Sequence, residues 1–437
     1  MEIKKILLEQ LKVVKPDKET FDKINSNAKG FVKELNSKLK KKGINAEVFV
    51  GGSLAKGTLV KKNKYDPENK FSDSQTSGKE VYDVDIFVRF NEKYDGGKIS
   101  ALLGKVLGKK AKKIHGSRDY YQQVINGIIM EIIPVINIKK PADAKNVMDL
   151  SYFHVSHVLK KMKGKKKLAD EIVLAKSFCH AQNCYGAESY IRGFSGYALE
   201  LLICHYGSFE KFLKEVAKYN KSKKIIIDDS KFYKKTNVLY ELNESKVNSP
   251  IILIDPTYKQ RNALAGLSDE TFYRFKEVVK KFLKNPNSKF FEIKDIDKEL
   301  RAKYKDKLKI VGVKTSKQIG DIAGTKSKKF LEFFSYALKK EFVVNLAEFN
   351  YDDENNIAKF YFVLEKKKDE LVRGPFVHDK KNVARFKRVH KKTVVKKGSV
   401  YSKIKHNLSF KQWFKLFNKN EKKVIKQMSV KKVGLIN

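Results

Sequence analysis

The chain has 437 residues, with 94 Lys and Arg against 50 Asp and Glu for a formal net charge of +44, and 41% hydrophobic residues. At roughly 150 residues per domain this predicts about three domains, and the apolar content excludes a disordered polycation. A packed fold so basic calls for an anionic partner, whether nucleic acid, an anionic membrane surface or a highly charged small molecule.

The opening MEIKKILLEQLKVVK mixes charges among apolar residues and has no small-residue cleavage site, so it does not read as a signal peptide. Phe21, Ile24, Ala28, Phe31, Val32, Leu35 and Leu39 recur at three- and four-residue steps, predicting a helix over 18–42 that Gly43 ends. AEVFVGG (46–52) reads as a short buried strand, and the polar 61–80 stretch as a loop. YDVDIFVRF (82–90) alternates and GIIMEIIPVINI (127–138) is apolar with one acid; both read as strands. The latter is too short and too often interrupted to span a membrane, and no other run comes closer.

From about 149 to 220 the texture is helical, and an amphipathic helix follows at 269–283. Beyond about 290 a helix at 327–340 and two strand-like runs suggest a small α+β unit. Residues 371–437 hold 20 basic and two acidic residues, interleaved with Phe376, Phe386, Tyr401, Phe410, Trp413, Phe414 and Phe417. Most of those aromatics read as the core of a small domain. Cys179, Cys184 and Cys204 form no disulfide framework, which fits a reducing cytoplasm, and with His180 and His205 they match no common zinc spacing.

Three features carry chemistry. Strand, GGSLAKGT (51–58), then helix lets backbone N–H groups approach an anion, although Thr58 stands where a Walker A loop needs Lys. Asp83 and Asp85 share one face of a strand by its period of two, while Val84 and Ile86 face the core. Two such acids repel unless a cation or donor satisfies them. Glu131 lies within an apolar strand; beside Asp83 and Asp85 it would complete a carboxylate trio suited to two Mg²⁺ ions, and otherwise it pairs with a Lys.

Together, helix–strand–GGS–DxD–strand with a third acid resembles the DNA-polymerase-β-like nucleotidyltransferases. Downstream, Tyr185-Gly186-Ala187-Glu188, Ile191 to Tyr197, Glu200-Leu201-Leu202, His205-Tyr206-Gly207, Asp255-Pro256, Arg261-Asn262-Ala263 and Gly374-Pro375 resemble archaeal class I CCA-adding enzymes. The resemblance implies an α/β multidomain chain: a polymerase-β-like catalytic domain (1–147), a helical central domain (148–290) and a C-terminal α+β region with a basic tail (291–437). It implies template-independent addition of C, C and A to the 3′ end of tRNA from CTP and ATP, in the cytoplasm. The tRNA would be held at its acceptor end and elbow, and a homodimer stays open.

By the same resemblance, Gly52 and Ser53 would hold phosphates with Thr58 supporting the turn, and Lys56 would lie near phosphates or RNA. Asp83, Asp85 and Glu131 would be catalytic at a site of two Mg²⁺, Asp83 and Asp85 binding both ions and Glu131 acting by direct metal contact, general-base assistance or a water bridge. His154 would contact the nucleotide, Lys176 and Tyr185 the triphosphate, Ala187 the ribose, and Arg261 the base. Read from residue type alone, Lys176 and Arg261 are exposed charges. The chain departs from the family pattern twice: Glu131 replaces the usual Asp, and 30 positions separate Ser53 from Asp83. The surplus reads as a loop excursion beside the active site, harmless to the fold, and a sharper alternative has its Lys61, Lys62, Lys64 and Lys70 touch the acceptor stem. Two rivals are a poly(A) or oligonucleotide polymerase and a non-catalytic RNA-binding derivative.

Overall fold

The computed structural model describes residues 2–61, 82–165, 167–220, 224–352, 355–390 and 392–436. Of the excursion's lysines, only Lys61 falls among them. Contacts divide the chain into two units, Met1–Lys294 and Asp295–Asn437.

In the first unit α1 (Glu2–Val14) and α2 (Lys18–Lys41) precede β1 (Ala46–Val50), α3 (Gly52–Lys56), β2 (Tyr82–Phe90), α4 (Ile99–Leu107), β3 (Lys112–Ile114), β4 (Tyr120–Ile125) and β5 (Ile128–Ile136). Asp17 caps α2 by accepting from the Thr20 amide. The five strands lie in the order β1-β2-β5-β4-β3, with β2 and β5 parallel. Alternation along β2 sends Tyr82, Val84, Ile86, Val88 and Phe90 into a core with α2 and α4. Its other face carries Asp83 and Asp85, then Phe87 stacked on Phe49 at 5.3 Å.

The helical part has α5 (Ser151–Met162), α6 (Leu168–Ala181), α7 (Gly196–Tyr206), α8 (Phe209–Lys218), β6 (Ile225–Ile227), two short helices α9 (Val238–Glu241) and α10 (Glu244–Val247), the hairpin β7 (Ile251–Asp255) and β8 (Tyr258–Asn262), and α11 (Asp269–Lys284). A Phe-rich core gathers Phe178, Phe194, Phe209, Phe212, Phe275 and Phe282. One finding departs from a division at 147. Leu7 of α1 is part of this helical core, with Ile3 and Leu11 against it, whereas α2 packs on the sheet. An amphipathic stripe buries itself on whichever apolar surface the chain offers, and here that surface is α6.

The second unit comprises α12 (Ile296–Tyr304), β9 (Leu308–Thr315), α13 (Gly320–Leu338), β10 (Phe342–Asp352), β11 (Ile357–Lys366), β12 (Glu370–Phe376), α14 (Lys380–Val389), β13 (Thr393–Lys396), β14 (Ser399–Ile404), α15 (Phe410–Asn420), α16 (Lys422–Gln427) and β15 (Val430–Ile436). The helix expected at 327–340 begins seven residues earlier, at Gly320. The basic segment is no loose tail. Its last strand pairs with β9, giving the order β10-β11-β9-β15, and Trp413, Phe414 and Phe417 pack around Phe334.

Candidate functional site

A cleft of ≈ 280 Å³ opens in the first unit. Gly52, Ser53, Lys56, Thr58, Asp83, Asp85, Glu131, Lys176 and Tyr185 line it, so nine residues singled out in the sequence come together. The GGS turn hangs from β2: the Gly51 amide donates to the Asp85 carbonyl at 2.9 Å. Gly52 has φ +55°, and a Cβ there would overlap the Asp85 carboxylate, so only glycine allows this approach.

Parallel pairing of β2 with β5 sets Asp85 opposite Glu131. On the far side of β5, Gln122 of β4 is Glu131's register partner and donates to its Oε1 at 2.7 Å. Burial pushes the Asp85 carboxyl up, with Lys56 opposing and Asp83 adding to the rise. Among the described residues no group of three or more His, Cys, Asp or Glu side chains is arranged to hold a metal ion. All three carboxylates of the expected trio line this one cleft, and Gln122 occupies the Oε1 of Glu131. Asp83 and Asp85 still fit a hard divalent cation, since Mg²⁺ takes oxygen ligands and is usually held by one or two carboxylates plus substrate phosphates.

Lys56 and Lys176 are not exposed charges but are 8% and 4% exposed. Both donate to Glu200, Lys56 at 2.6 Å and Lys176 at 2.8 Å, and Lys176 also reaches the Thr58 hydroxyl at 3.0 Å. Burial alone would raise the Glu200 carboxyl, but the two ammonium groups outweigh it and hold it at about 2. Burial lowers Lys176, which Glu200 partly offsets. Tyr185 stacks on His180 at 3.8 Å, and its hydroxyl lies where a Cβ on Gly196 would intrude.

His154 and Arg261 do not line the cleft; they meet at Asp255, at the end of β7. His154 Nε2 is 3.0 Å from Asp255 Oδ2, and Arg261 donates to the same oxygen at 2.7 Å. The Tyr197 and Thr257 hydroxyls donate to Oδ1 at 3.1 and 2.7 Å. Tyr197 stacks on His154 with centroids 4.0 Å apart and also lines the cleft, joining the two groups. Ala187 is exposed and lies outside both groups.

A family model described as "tRNA nucleotidyltransferase, second domain" matches residues 170–292. A CCA-adding enzyme of Nanoarchaeum equitans is 35% identical over 301 residues, which is 67% of this chain and 70% of that protein. The chain belongs to the archaeal CCA-adding enzymes. The similarity is not confined to the first unit: the CCA-adding enzyme of Methanocaldococcus jannaschii is 27% identical over 408 residues, covering 90% of this chain and 86% of its own. A solved structure of the Cid1 poly(U) polymerase with MgATP has a TM-score of 0.49 and 15% identity, covering 67% of this chain and 99% of that one.

Within this CCA-adding family member, sequence reasoning passed over Glu200, Tyr197 and Asp255 as site residues. The two carboxylates carried a signal. Glu200 is the one acid in the otherwise apolar run from Ala198 to Ile203, and Asp255 ends a strand of four buried aliphatic residues. A carboxylate among apolar neighbours must meet a partner, as was argued for Glu131.

Proposed function

We propose that this chain extends tRNA with C, C and A, and that the cleft of the first unit is where CTP and ATP react. The observation that carries the reading is the convergence of the GGS turn, Asp83, Asp85 and two buried lysines in one cleft of a CCA-adding family member. Backbone amides and ammonium groups suit phosphates, and paired acids suit divalent cations.

In the proposed reaction the RNA 3′-oxygen attacks the α-phosphorus of the nucleotide. The new O–P bond forms as the bond to the β-phosphate bridging oxygen breaks, and pyrophosphate leaves. The hydroxyl proton passes to a cleft carboxylate, with Glu131 the candidate acceptor. Asp83 and Asp85 would hold Mg²⁺, which when bound neutralises phosphate charge and lowers the pKa of a coordinated hydroxyl. Ser53 and Gly52 orient phosphates, Lys56 and Lys176 neutralise them, and the Asp255 group receives the base edge. Positioning and charge complementarity supply most of the rate in such transfers. The second unit's exposed cations on α14 would grip the tRNA backbone.

Incubating tRNA that lacks its 3′ end with CTP, ATP and Mg²⁺ tests the reading. Addition of C, C and A followed by arrest is expected. Continued extension with ATP alone would instead assign a poly(A) polymerase.

A further inference from the structure

One buried carboxylate of the cleft has no part in the chemistry above. Glu200 lies on α7 and is 1% exposed. Each of its oxygens takes a different ammonium: Oε2 accepts from Lys56 at 2.6 Å, and Oε1 from Lys176 at 2.8 Å. The Thr58 hydroxyl lies 3.2 Å from Oε1 and 3.0 Å from the Lys176 nitrogen, closing a ring of three side chains to which Lys56 is joined through Oε2. They come from α3, the turn after it, α6 and α7, so the group ties the GGS turn to the helical part of the first unit.

A buried ion cluster is a poor device for stability alone, because apolar residues of the same volume often do as well or better. Nor would two ammonium groups converge in a low-dielectric pocket without an anion between them. Glu200 supplies that anion, with both oxygens committed, and Asp83, Asp85 and Glu131 line the same cleft. The arrangement presents two lysines at one point of a cavity whose other walls suit phosphate and metal.

We propose that Glu200 is a positioning residue for the triphosphate: it gathers Lys56 and Lys176 in the free protein and holds them so that their remaining N–H groups meet the incoming phosphate oxygens. This rests on the reading of the cleft as the nucleotide site. Each ammonium keeps its bond to Glu200 while it meets the phosphate, so no charge of the group is left buried and unpaired, and no covalent bond changes. The triphosphate is common to CTP and ATP, so the role is blind to the base.

Glu200→Gln keeps the shape and removes the charge. Steady-state CCA addition is expected to show KM raised about tenfold for CTP and for ATP alike, with KM for tRNA unchanged, and Glu200→Asp should recover part of the loss. Wild-type KM values for both nucleotides, with only a lower melting temperature, would make Glu200 a fold staple and overturn the proposal. An effect on one nucleotide alone would overturn it too. Should Glu200→Gln be insoluble, Glu200→Gln with Lys56→Met removes one charge of each sign and is compared with Lys56→Met alone; a further rise in KM for both nucleotides is expected, and equal values refute the role. If wild-type protein adds no CCA, the functional reading fails by itself. Calorimetric titration of CTP and ATP with Mg²⁺ into wild type and Glu200→Gln then decides the inference: about tenfold weaker binding supports it, and equal binding overturns it.

Discussion

Two buried carboxylates organise the first unit, and they collect different partners. Glu200 holds two lysines and a threonine, groups that act as point charges and turn freely about their bonds. Asp255 also holds a threonine, but its other side-chain partners are a histidine, an arginine and a tyrosine, planar groups whose edges and faces have fixed directions. Tyr197 stacked on His154 adds a flat surface that no lysine could provide. The difference matches two demands of one substrate. A triphosphate is recognised by charge, which lysine supplies, and a base by shape and hydrogen-bond direction, which the planar groups supply.

The largest effect should come at the charged end. Asp85→Ala removes the carboxylate against which Gly52 is fitted, and CCA addition should fall about 10³-fold, while tRNA binding in a filter assay stays within twofold of wild type. Full activity would break the assignment of that end to chemistry. A smaller effect belongs to the planar end. Arg261→Lys keeps the positive charge beside Asp255 but loses the fork, so discrimination among nucleotides should relax about tenfold. It is measured as the ratio of kcat/KM for CTP on tRNA ending before the first C to that for GTP. A loss equal for both nucleotides would place Arg261 with the phosphate group instead.

Depth sharpens the same contrast. Lys56 and Lys176 are buried, whereas Lys380, Lys381, Arg385, Lys387 and Arg388 of α14 are exposed. Exposed cations that meet RNA phosphates act through counterion release, so neutralising three of them should flatten the salt dependence of tRNA binding by about two in log–log slope. Lys176→Met should leave that slope unchanged. An unaltered slope after the α14 changes would remove this helix from the RNA grip.

The elements that position the charged end were legible because each follows from a local rule. Strand β2 matches the alternating run 82–90, and α2 follows its Asp17 cap and apolar spacing. The partners were not. Whether Glu131 meets a Lys or a Gln depends on which strand lies beside β5, and only the fold brings Gln122 there. Lys176 is buried because α6 is surrounded on nearly every side, and its paired carboxylate arrives from a helix 24 residues later. The helix α1 was not read from the sequence, and its burial against α6 is a tertiary choice that no local rule announces. Of the planar end, His154 and Arg261 were named as site residues through the resemblance, but Tyr197 was not, nor was the hub Asp255, since an Asp before Pro reads as a turn.

The smallest effect concerns acid. Burial holds the His154 imidazole below its usual range, against the pull of Asp255, so it is neutral at pH 7. Burial would raise Asp255, but hydrogen bonds from His154, Arg261 and Thr257 hold it well below the usual carboxylate range. Both groups therefore bind protons more readily in the unfolded chain. The stability they contribute is present above pH 6.5 for His154 and above pH 3.8 for Asp255, and is lost as pH falls from those values. Glu200, held at about 2, loses its share only below pH 4.5. Between pH 6.5 and 4.5 the planar hub should weaken and the charged hub should not, while His157, which burial also holds below its usual range, adds to the loss. Thermal melting across that window should therefore show a gradual fall that His154→Gln reduces and Glu200→Gln leaves intact. If Glu200→Gln removed the fall and His154→Gln did not, the charged end would be the acid-sensitive one and the contrast between the two hubs would be reversed.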